Sequence, residues 1–174
     1  MHDLLTAIEN SGFPTWIRES PSLWAYTFVL SLHAIGLAIV AGLSSAVDLR
    51  LLGVARTVPI APLRALFPFM YAGFWINALS GLALLAANAT GMLANPMFYI
   101  KIGFVLAAVL LMRAIKGSVF GDPAFVSAGI VPARARLLAG ASLVCWGGAI
   151  VAGRMTAYPG LIQSWFASGP VGVT

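Results

Sequence analysis

The sequence predicts an all-α membrane protein, folded as a bundle of four transmembrane helices. Hydrophobic residues make up 60% of the 174 residues and charged residues 9%, whereas an ordinary soluble domain has roughly 25% charged residues. Four apolar stretches also reach the length of about 20 residues that a helix needs to cross the hydrocarbon core. We therefore predict one integral membrane domain over residues 1–174. Its spans are Leu23 to Val47, Leu66 to Ala87, Phe98 to Ile115 and Leu137 to Ala157.

The segment before the first span is predicted to lie in the membrane interface. Leu4, Leu5 and Ile8 recur at helical spacing, as in an interfacial amphipathic helix. We expect Pro14 and Pro21 to interrupt this segment. It has acidic residues where a signal peptide needs a basic region, which favours a first span that is retained.

The basic residues predict the orientation of the bundle. Seven of the ten lie between the first and second spans or between the third and fourth, and three lie on the other side. The positive-inside rule places the larger group in the cytoplasm, and the short connections favour up-down-up-down topology. We expect both termini in the periplasm and the chain in a bacterial inner membrane. The net charge of +5 does not indicate nucleic acid, because no basic patch with interleaved aromatic residues is present.

His33 is the main candidate for a functional residue. It lies about nine residues into the first span, roughly 13 Å from the start of that span at 1.5 Å per residue. A histidine at this depth is costly unless it faces the bundle interior and has a partner. One interpretation is a hydrogen bond across helices, with Asn77 or Ser80 as the partner. The other is ligation of a metal, above all haem iron, for which histidine is the usual axial ligand.

The haem hypothesis assigns roles to four further residues. Gly36 lies one turn from His33 on the same face, where a missing side chain would give the macrocycle room. Asn77 would fix the tautomer of the ring. Arg154 and Lys101, both near the periplasmic end, would pair with the propionates. An end anchor that snorkels to the head groups explains the position of either cation equally well.

The sequence does not identify a second axial ligand for the haem iron. The one other histidine is His2, in the N-terminal tail. The iron is then five-coordinate, or takes a thioether from Met155, Met92 or Met97, or shares His33 of a second copy. The same methionines with His33 permit a copper site, since thioether and imidazole suit Cu(I).

Four motifs carry a family resemblance: HAIG in the first span, DLRLLG after it, NPMFYIK at the start of the third and AGRMTAY at the end of the fourth. With them the chain resembles a family of small bacterial four-span membrane proteins without an assigned chemistry. More distantly it is similar to the copper resistance D-like and cytochrome b561-like membrane families. The distant resemblance implies haem b or copper on the periplasmic side. The chain departs from the b-type pattern, which usually holds each haem between two histidines on facing helices.

The sequence thus predicts a membrane-anchored b-type haem protein that passes electrons near the periplasmic face, with a quinone or a periplasmic redox protein as partner. The alternative is a cofactor-free structural or assembly subunit of a membrane complex or homo-oligomer, and the third is copper handling. Motifs of hydrolases and phosphoryl-transfer enzymes are absent, and whether the chain is an enzyme is left open.

We expect Asp48 and Arg50 to pair at the cytoplasmic end of the first span. With no carboxylate expected inside a span, proton pumping is disfavoured.

Overall fold

The computed structural model describes residues 2–19, 23–121, 131–158 and 160, and every regular element in these residues is helical. A 3-10 helix, Ala61–Leu66, leads directly into the fourth α-helix. The α-helices are α1 (His2–Glu9), α2 (Gly12–Glu19), α3 (Leu23–Leu52), α4 (Phe67–Ala87), α5 (Ala89–Leu93), α6 (Pro96–Ser118) and α7 (Ala133–Met155).

Four of these segments are long and apolar enough to cross a membrane: α3, α4 with its preceding 3-10 helix, α6 and α7. The prediction of an all-helical protein with four candidate membrane spans is therefore confirmed. We call the end of the bundle that carries α5 the α5 end. The opposite end, which carries the 53–66 connection, is the loop end.

The ends of the spans have local causes. α3 continues five residues beyond the predicted Val47 and ends at Leu52. Gly53 follows with a φ of 93°, a left-handed conformation that ends helices and that glycine adopts without steric cost. At the start of α6, the side chain of Asn95 accepts a hydrogen bond of 3.0 Å from the amide of Met97.

The N-terminal segment forms two short helices rather than one. The break falls at residues 10 and 11, and not at Pro14 as predicted, because a proline in the first turn of a helix removes no intrahelical hydrogen bond. Pro21 lies outside the described residues. Ile17 of α2 is 1% exposed and packs with Val29 and Leu84, so α2 covers the α5 end of the bundle.

α3 and α4 pack closely against each other. A Cβ atom on Gly36 would lie 2.5 Å from the backbone nitrogen of Asn77 and 2.8 Å from the carbonyl oxygen of Gly73. Gly73 in turn lies against the side chain of Ile39. These small residues let the two backbones touch, as in many membrane helix pairs. Along these contacts the residue numbers increase on α3 while they decrease on α4, so the two helices are antiparallel.

α7 packs against both α3 and α6, whereas α4 and α6 do not pack closely along their length. At the loop end, side chains bridge α4 and the α6 region. The Nζ atom of Lys116 lies 4.8 Å from the centre of the Tyr71 ring, and Phe120 meets Phe67 edge-on at 5.2 Å. Toward the α5 end, the bridging side chain is Lys101, which belongs to the site described next.

Candidate functional site

Four polar side chains from three helices meet in the half of the bundle nearer the α5 end. They are His33 on α3, Asn77 and Ser80 on α4, and Lys101 on α6. We call them the His33 cluster. One interpretation of the sequence named Asn77 or Ser80 as the partner of His33, and both residues contact the ring.

His33 and Asn77 form a reciprocal pair between α3 and α4. The Nδ1 atom of His33 lies 2.9 Å from the backbone carbonyl oxygen of Asn77. The side-chain amide of Asn77 donates a hydrogen bond of 2.7 Å to the backbone carbonyl of His33. Each side chain thus binds the backbone of the other residue, and the pair fixes the register of the two helices.

The pair also fixes the tautomer of the imidazole. A carbonyl oxygen is an acceptor only, so Nδ1 carries the hydrogen of this bond. In the neutral ring, Nε2 is then the acceptor, and the Nζ atom of Lys101 lies 3.4 Å from it. The ammonium group of Lys101 therefore donates to Nε2, and a second proton on the ring would face a like charge.

Ser80 and Gly81 also lie next to the imidazole ring of His33. The hydroxyl of Ser80 donates to the carbonyl of Ile76 at 2.5 Å and lies 3.4 Å from Nδ1 of His33. A Cβ atom on Gly81 would lie 3.0 Å from Cε1 of His33. Gly81 therefore leaves the space that the imidazole occupies, a role that the sequence analysis missed because glycines recur throughout the spans.

Lys101 points into the bundle. Of the two interpretations of Lys101, the end anchor that snorkels to the head groups is wrong, because its side chain passes along Gly153 of α7 and ends at His33. Among the described residues, the ion pair within 4.0 Å is Arg18 with Glu19. No described carboxylate therefore balances the charge of Lys101 at ion-pair distance.

Three other predicted site residues lie outside the His33 cluster. The open slot expected beside Gly36 is filled by the backbone of α4. Met155 is 42% exposed on the last turn of α7, and among the described residues it makes no polar contact with His33. Arg154 is exposed on the same turn. It directly follows Gly153, which contacts the stem of Lys101.

No family model, curated protein or solved structure matches this chain. The family resemblance drawn from its motifs consequently stays an expectation.

The expected ion pair between Asp48 and Arg50 does not form. The guanidinium of Arg50 donates to the backbone carbonyls of Val58 and Arg56, the latter at 3.1 Å. Asp48 is 1% exposed inside the longer α3. A carboxylate therefore does lie within a candidate span, contrary to the prediction, because α3 extends five residues further than expected.

The hydrogen bonds of His33 are compatible with haem ligation in one respect. The packing around its ring limits where a haem could lie. A histidine that ligates a metal typically donates its other ring hydrogen to a carbonyl or a carboxylate, and the carbonyl of Asn77 serves this purpose here. The ligating atom would be Nε2, which lies 3.4 Å from Nζ of Lys101 and 3.5 Å from Nδ2 of Asn77, in a part of the bundle where α4 and α6 do not pack closely. The end of Lys101, a flexible side chain, crosses that region. No group of three or more His, Cys, Asp or Glu side chains suited to a metal ion occurs in the described residues.

Proposed function

We propose that this chain is an integral protein of the bacterial inner membrane that binds a b-type haem through Nε2 of His33 and takes part in electron transfer. The observation that carries the proposal is the hydrogen bond from Nδ1 of His33 to the carbonyl of Asn77. It leaves Nε2 of the neutral ring unprotonated, and it increases the basicity of that nitrogen as a ligand.

In this proposal the bundle is up-down-up-down, with both termini in the periplasm. The antiparallel contacts of α3 with α4 and the distribution of basic residues support it. His33 then lies in the periplasmic half of the membrane, within reach of a quinone or a periplasmic redox protein.

The residues around His33 have different roles in the proposed binding of haem. A bound b-type haem would supply a one-electron iron couple. The backbone of Asn77 orients the imidazole, and Gly81 leaves space for the ring. Lys101, once its Nζ atom leaves Nε2, and Arg154 would supply cations for the propionates, since described carboxylates do not already neutralise Lys101.

A second candidate is the cofactor-free membrane subunit, and a specific contact favours it. Lys101 donates to Nε2, so both ring nitrogens of His33 already have partners. In this reading the His33 cluster ties α3, α4 and α6 together, as interhelical polar contacts do in other membrane proteins. A copper site draws no comparable support, because Met155 lies exposed on α7.

The absorption spectrum of the protein, purified from cells supplied with haem, separates the two candidates. The haem proposal expects a Soret band that shifts when dithionite is added, with haem and protein in a fixed ratio. A colourless protein that also fails to bind haem added after purification would contradict the haem proposal and support the cofactor-free subunit.

A further inference from the structure

A second polar cluster lies at the contact between α3 and α7, away from the His33 cluster. Its centre is Asp48, whose side chain is buried and whose two carboxyl oxygens lack hydrogen-bond partners among the described residues. Native proteins leave few buried polar groups without partners, and each such group requires an explanation.

Two serine hydroxyls face Asp48. Ser44 lies one turn earlier on α3 and is 2% exposed, and Ser142 lies on α7 and is 0% exposed. Both hydroxyls lie close to the carboxyl group, although neither meets the geometry of a hydrogen bond in this conformation. The Ser142 hydroxyl has no other partner among the described residues either. One turn further on the same face of α7, the indole nitrogen of Trp146 is also buried without a partner.

No charged side chain among the described residues lies within ion-pair distance of Asp48. Arg50 is bound to carbonyls of the 53–58 turn, and Arg134 and Arg136 of α7 are exposed. Tyr71, the one titratable side chain of α4, contacts Lys116 instead. The carboxyl group is therefore buried without a counter-charge.

An ionised carboxylate in such a place is far more costly than a neutral carboxylic acid. A bound proton removes the charge. It also gives Asp48 an O–H group that can donate to the Ser142 hydroxyl, which needs a partner. One proton thus satisfies two of the orphaned groups, whereas a metal cation requires more oxygen ligands than one carboxylate and two hydroxyls.

We infer that Asp48, with Ser44 and Ser142, forms a buried proton-binding site between α3 and α7. Asp48 lies four residues before the end of α3, about 6 Å along the helix axis, so its proton comes from water at the loop end. The step is the uptake of one proton by one carboxylate, and no electron is moved. This site is independent of haem binding at His33.

Infrared spectroscopy of the protein in lipid vesicles tests the inference. The chain contains three aspartates, Asp3, Asp48 and Asp122. Labelling aspartate with ¹³C therefore identifies an aspartic acid band without any substitution. At neutral pH we expect the carbonyl stretch of a protonated carboxyl group, which shifts with the label and in D₂O. The band should be absent in Asp48→Asn, a neutral and nearly isosteric change, and present in the control Glu9→Gln.

Ser142→Ala provides the second variant. It should keep the band but move it to higher frequency, because the acid loses its acceptor. The inference is overturned if the labelled wild-type protein shows no protonated aspartic acid from mildly acidic to neutral pH. It is equally overturned if replacing K⁺ with Na⁺ in the buffer removes the band, since Asp48 would then bind a metal cation.

Discussion

The Nζ atom of Lys101 lies 3.4 Å from Nε2 of His33, so a cation that the sequence suggested as an end anchor meets the candidate ligand atom instead. In the haem proposal this cation leaves Nε2 and pairs with a propionate. Lys101→Met should then weaken haem binding on the order of tenfold, equivalent to about 1.4 kcal/mol, and Lys101→Arg should largely preserve it. The haem-to-protein ratio at graded haem concentrations measures the effect. Unchanged or tighter binding in Lys101→Met would refute a propionate role.

The contact at Gly36 predicts a steep dependence on side-chain size. A Cβ atom there would meet the backbone of α4 at 2.5 Å, and backbone cannot move aside as a flexible side chain can. Gly36→Ala should lower the free energy of unfolding by about 1–3 kcal/mol. Gly42→Ala on the same helix is the matched control, because no described side chain or backbone of another element lies within 4 Å of its Cβ position. Unfolding in mixed micelles compares the two, and equal stabilities would argue against the α3–α4 contact.

The contact between Glu9 of α1 and Thr90 of α5 depends on pH. Its carboxylate accepts hydrogen bonds from the Thr90 hydroxyl at 2.6 Å and the Thr90 amide at 2.7 Å, and these bonds lower the pKa of Glu9. Because the pKa is lower when α1 is docked, the contact is stable above the usual pKa of a glutamate. It is lost as the pH falls through the lowered value.

Hydrogen exchange in α1 checks this linkage at matched pH. At neutral pH, Glu9→Gln should exchange faster than the wild-type protein, and in acid the two should converge. Glu19→Gln, which removes a surface partner of Arg18, should behave like the wild-type protein. Identical exchange of Glu9→Gln and wild type at neutral pH would show that the carboxylate does not hold α1.

The distribution of basic residues predicts which end of the bundle faces outward. In a Cys145→Ala background, a cysteine at the exposed position Ala94 should react with a membrane-impermeant maleimide added to intact spheroplasts. A cysteine at the exposed Thr57 should react after lysis alone. The opposite labelling pattern would invert the orientation, and with it the placement of His33 on the periplasmic side.

The number and approximate places of the spans could be predicted because length and apolar composition largely decide them. The partners of His33 could also be predicted, because few polar side chains lie at comparable depth in the second span. The role of Gly36 could not be predicted, because a glycine can leave room for either a cofactor or another helix. The packing of α3 against α4 decides between the two. Asp48 was misplaced for a related reason. Its charge suggests the end of a span, whereas α3 continues to Leu52, so Asp48 lies inside the helix.

Haem content in two neighbouring variants tests the central claim most directly. His33→Ala removes Nε2, and we expect it to insert normally but lose most of its haem, with partial recovery when free imidazole is added. Asn77→Ala keeps the backbone carbonyl that binds Nδ1 and loses the amide bond to His33. It should therefore cost about 0.6–1.7 kcal/mol of stability and retain haem. Full haem retention in His33→Ala, with an unchanged Soret band, would contradict ligation by His33.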